Sequence, residues 1–105
     1  MSNPNLGAEL QQLAHLLEVL IIKETNPAKA RQLGEIHQVV IQTIQRLVSA
    51  NIDAATEKYA EALKGVENAN EQVLEAIKDL AKVAETINTI AKVLDILGRL
   101  AEAIP

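Results

Sequence analysis

The sequence has no cysteine, so it can form no disulfide framework, thiolate metal site or thiol nucleophile. It has no Phe and no Trp, and Tyr59 is its one aromatic residue. That composition excludes sites built on stacked rings, such as aromatic cages for cations or platforms for single-stranded nucleic acid. The glycines are isolated from one another, which leaves no glycine-rich loop to cradle a phosphate. Serine occurs only at Ser2 and Ser49, and no acid–base pair is spaced around either to activate it. The most apolar run, residues 13–22, is interrupted by His15 and Glu18 and is about half the length of a bilayer span.

Net charge is small and unevenly placed. Residues 1–50 carry Glu9, Glu18, Glu24 and Glu35 against Lys23, Lys29, Arg31 and Arg46, which cancel. The formal charge of −4 therefore belongs to residues 51–105. No basic stripe exists, so a nucleic-acid partner is not expected. Met1-Ser2-Asn3-Pro4-Asn5 has no basic region of the kind that opens a secretory signal. A cytoplasmic location is expected, with signal-less export as the alternative.

What the sequence does contain is aliphatic residues in helical rhythm. Leu6, Leu10, Leu13, Leu17 and Leu20 recur at spacings of four and three, which marks one face of a helix over about 4–24. Asn3-Pro4 is its start signal, a capping side chain followed by a residue with no amide hydrogen to satisfy. Asn26-Pro27 repeats the signal, so a turn falls at 25–26 and a second helix spans about 27–49. Its seam is Leu33, His37, Val40, Ile44 and Leu47. A connection this short makes the two helices antiparallel neighbours. Ser49-Ala50-Asn51 supplies the next break.

From residue 52 the pattern is heptad. Ile52, Tyr59, Val66, Val73, Leu80, Ile87, Leu94 and Ala101 lie seven apart and are all apolar. Three residues after each come Ala55, Ala62, Ala69, Ala76, Val83, Ile90, Leu97 and Ile104, apolar again. This is the a/d seam of a coiled coil. Opposite it, Glu57, Lys64, Glu71, Lys78, Glu85, Lys92 and Arg99 form a charged spine for solvent. The fold class expected is all-α: an antiparallel hairpin packed on one long helix over 52–103, in a single domain spanning 1–105. A break between Gly65 and Asn68 would instead make a four-helix bundle.

A helix over 52–103 would be about 80 Å long, whereas the hairpin arms are about 30 Å, so much of the seam is left without cover. Uncovered apolar surface on this scale points to a partner. The function expected is a non-enzymatic interaction module, self-associating as a dimer or binding another helical protein. The candidate contact residues are Ile52, Ala55, Tyr59, Ala62, Val66, Ala69, Val73 and Ala76, whose alanines allow close approach. The broad apolar face toward the C-terminus suggests a second reading, a membrane-active helical protein, though its polar face is mixed and net acidic, unlike the Lys/Arg-rich face of interfacial helices. A third reading places a metal ion between His15, Glu18 and His37, two imidazoles and a carboxylate at similar height in the hairpin. No cofactor and no catalytic residue is expected.

Overall fold

The computed structural model describes residues 6–50 and 57–102, and within them the chain is helical, with no strand. The helices are α1 (Leu6–Lys23), α2 (Pro27–Ala50), α3 (Glu57–Lys78) and α4 (Val83–Glu102), with a short 3-10 turn at Leu80–Lys82 before α4. The Asn3-Pro4 start signal lies outside the described residues; of the turn expected at 49–51, residues 49 and 50 still belong to α2 and only Asn51 lies outside them.

The first turn forms where the sequence puts it. Asn26 caps α2: its Oδ1 accepts from the amides of Ala28 at 2.9 Å and Lys29 at 3.2 Å. Pro27 follows as the first helical residue, where its missing amide hydrogen costs nothing. Only residues 24–26 join α1 to α2, and Glu18 of α1 stands 3.4 Å from His37 of α2, so the two arms fold back on each other and run antiparallel. Leu6, Leu10, Leu13, Leu17 and Leu20 are all buried, as are Leu33, Val40 and Leu47, while His37 and Ile44 are half-buried.

The long C-terminal helix is where expectation and structure part. It is two helices, and the break is neither absent nor between Gly65 and Asn68. It falls at Asp79, whose backbone is extended (φ −143°, ψ 98°) and whose side chain accepts from the Ala81 amide. The physical reason lies in the seam itself. A straight helix would leave its apolar rows in water, whereas folding back lets α4 cover α3. Gly65 lies inside α3, where a Cβ would meet Val93 of α4 at an ordinary contact distance of 3.5 Å. Gln72 meets Thr86 and Thr89, and Glu75 meets Lys82, which fixes α3 and α4 as an antiparallel pair.

Each hairpin then packs on the other. Among the described residues α1 touches α2 and α3, and α4 touches α2 and α3, so α1/α4 and α2/α3 are the diagonals of a four-helix bundle. The first turn of α3 lies beside the start of α1, because the Leu6 amide donates to the Tyr59 hydroxyl at 2.9 Å. Asn70, further along α3, reaches Glu9, further along α1, so these two helices run in the same sense. The spine residues Glu57, Lys64, Glu71, Lys78, Glu85, Lys92 and Arg99 are all exposed, as the heptad phase requires. In α4 the buried face is Val83, Thr86, Ile90, Val93, Leu97 and Leu100, turned from the expected seam, so that Leu80, Ile87 and Leu94 are half-buried instead of central.

Candidate functional site

The contact residues expected from the sequence now have definite places. Ile52 and Ala55 lie outside the described residues. Tyr59 is half-buried and holds the start of α1 through its hydroxyl. Ala62, Val66, Ala69, Val73 and Ala76 have no exposure at all. Their small side chains do admit a helix closely, but in this structure the leucine face of the chain's own α1 takes that place. Beside them sits Asn70, 5% exposed, which donates to the Glu9 carbonyl at 3.1 Å and to Glu9 Oε2 at 2.8 Å. Its own Oδ1 is buried with no hydrogen-bond partner. The heptad pattern does not single out Asn70 for this role. The available signal was an amide flanking two apolar rows.

Of the three residues considered for a metal, the structure brings two together. Glu18 Oε1 and His37 Nε2 are 3.4 Å apart, but no hydrogen bond joins them and Nε2 stays buried without one. His15 is exposed on the same flank of α1 and does not complete a ligand set. Among the described residues no three His, Asp or Glu side chains converge to hold an ion. Among them, too, no helix is long and apolar enough to cross a membrane.

The bundle also leaves apolar surface uncovered. Ile22 is 84% exposed, Val39 and Leu74 43%, and Ile41 37%. Ile41 belongs to a shallow groove between α1 and α2. Ala14, Ile41 and Ile44 form its apolar part, and Gln11, His15, Glu18 and Gln45 its polar part. The antiparallel hairpin creates this groove by setting Ala14, a small residue, opposite two isoleucines. The residues of α2 that bound it belong to a stretch, 38–45, without a charged side chain. Sequence periodicity hides such a face, because Ile41 reads as a flank of the α2 seam.

Comparison with protein-family models, curated proteins and solved structures finds no match for this chain.

Proposed function

We propose that this protein is a non-enzymatic helical assembly module that joins a second copy of itself through the outer α1/α2 face. One observation carries the reading: the groove of Ala14, Ile41 and Ile44, bordered by Gln11, Gln45, His15 and Glu18 and left open by the bundle. Charge selects the occupant. The formal charge of −4 belongs to residues 51–105, so two copies repel each other there and not across the α1/α2 side. The uncharged stretch 38–45 is where they can meet at least cost. Glutamine amides both donate and accept hydrogen bonds, so the glutamines of this rim suit a face that meets itself across a two-fold axis.

Light scattering over a wide concentration range tests this reading. The expected result is a dimer that Ile41→Glu abolishes and Leu74→Glu leaves intact. Ile41→Glu acts by burying an unpaired charge at the contact, and Leu74 lies on α3, away from it. A chain that stays monomeric at every concentration overturns self-pairing and leaves the face to a different helical protein. A dimer indifferent to Ile41→Glu overturns the choice of face.

A further inference from the structure

The two hairpin turns are built differently. At the first, Pro27 has no amide hydrogen, so α1 and α2 cannot run on as one regular helix. At the second, nothing forbids it. No glycine or proline occurs anywhere in residues 66–97. Only Asp79 separates α3 from the 3-10 turn that leads into α4. Its extended backbone is held by one side-chain bond, to the Ala81 amide at 3.1 Å, while the Lys82 amide donates to its carbonyl at 3.0 Å. Residue 79 is exposed, and an aspartate inside a helix is only mildly unfavourable.

One of the two heptad rows also crosses this turn fully buried, while the other, Val66 and Val73 in α3, continues into the half-buried Leu80, Ile87 and Leu94. Ala62, Ala69 and Ala76 in α3 and Val83, Ile90 and Leu97 in α4 are one unbroken row at seven-residue spacing, and all six are fully buried. A turn between independent helices has no need to keep that phase. A helix that sometimes runs straight does need it.

We infer that Asp79 is a hinge: α3 and α4 can join into one continuous helix, and two copies then exchange α4. Each α4 would occupy, in the partner, the place between α2 and α3 that it fills in its own chain. The contacts inside each bundle are the same in both forms. What differs is the turn, where the Asp79 cap and the Glu75–Lys82 ion pair are lost and a full turn of helical hydrogen bonds is gained. Short turns between exchangeable elements favour such swapping. This exchange does not depend on the α1/α2 face.

Spin labels at Glu61→Cys and Arg99→Cys, in a chain otherwise free of cysteine, test it. In the hairpin both positions border one surface pocket with Lys58, Ile96 and Leu100. In a continuous helix the same positions, 61 and 99, stand about 57 Å apart. Doubly labelled chains are diluted with unlabelled ones, so that only distances within one chain are read. Three backgrounds are compared after refolding at high concentration: no further change, Asp79→Ala and Leu80→Pro. Asp79→Ala removes the cap and should raise the dimerisation constant roughly thirtyfold, about fivefold for each of two hinges. Leu80→Pro should suppress the dimer, since proline is at ease as the first helical residue and favours the extended backbone that Asp79 already has.

The expected result is a dimer fraction with the long distance, enriched by Asp79→Ala and lost with Leu80→Pro. The exchange is overturned by an Asp79→Ala chain that stays monomeric, by a dimer showing the short distance alone, or by a dimer that Leu80→Pro does not reduce. A dimer formed through the α1/α2 face would be sensitive to Ile41→Glu and would keep the short distance. The two associations therefore fail separately.

Discussion

Residue by residue, the heptad reading predicts the rows but not how far each is turned inward. Val83, Ile90 and Leu97 are fully buried, while Leu80, Ile87 and Leu94, equally apolar in the sequence, are half-buried. The difference comes from α4 packing on both α2 and α3, which rotates its inner face toward Thr86, Val93 and Leu100. No single-helix pattern contains that rotation, because it is set by two neighbours at once. The consequence can be measured by chemical denaturation. Ile90→Ala and Leu97→Ala should each cost about 2–5 kcal/mol, the range for emptying a closed core site. Ile87→Ala and Leu94→Ala should cost less, because water already reaches those side chains. Glu85→Ala, on the charged spine, should change stability by no more than about 0.5 kcal/mol. Equal losses at Ile87 and Ile90 would place the helix in a different rotation. Asn70 marks the other limit of residue-level reading, since its partner Glu9 is remote in sequence and only tertiary packing brings them together.

At the scale of the element, the two turns separate what local chemistry dictates from what the whole bundle decides. The α1/α2 turn is written in the sequence as a capping amide followed by proline, and it forms at that place. Its amide is bound in return, since the Asn26 backbone donates to Glu24 Oε1 at 3.0 Å. Asn26→Ala should therefore lower stability by about 1 kcal/mol, the usual cost of losing a helix cap, in the same denaturation experiment. An unchanged midpoint would mean that Pro27 alone sets the turn. The α3/α4 turn has no such punctuation. Lys78 and Asp79 supply a basic last turn and a capping acid, but Gly65 and Asn68 are the stronger breaking signals by residue type. They are overridden because a glycine inside a helix costs only about 1 kcal/mol, which the packing of Gly65 against Val93 and Ile96 of α4 can offset. The break moves to where the two arms match in length.

Taken as a whole, the molecule resolves a mismatch that is visible in its composition. The apolar seam after residue 52 is too long for the N-terminal hairpin, and an outside partner was the expectation. The structure closes most of that seam within one chain, folding it at Asp79 and laying α1 along the alanine-rich half. The charged spine and the leucine face of α1 were legible because each depends on one helix alone. The pairing of α1 with α3 was not, because it joins helices on either side of the α2 segment. What the closed bundle leaves for a second copy is the apolar α1/α2 groove and the hinge. The most direct test of this closure uses Tyr59, the sole aromatic residue, whose ring protons give an uncrowded nuclear magnetic resonance signal. Its hydroxyl accepts from the Leu6 amide, so cross-relaxation between the Tyr59 ring and Leu6 is predicted in dilute solution. The same signal should be absent from an isotope-filtered spectrum of mixed labelled and unlabelled chains. A Tyr59 ring without contact to α1, or a contact seen only between chains, would contradict the closed bundle.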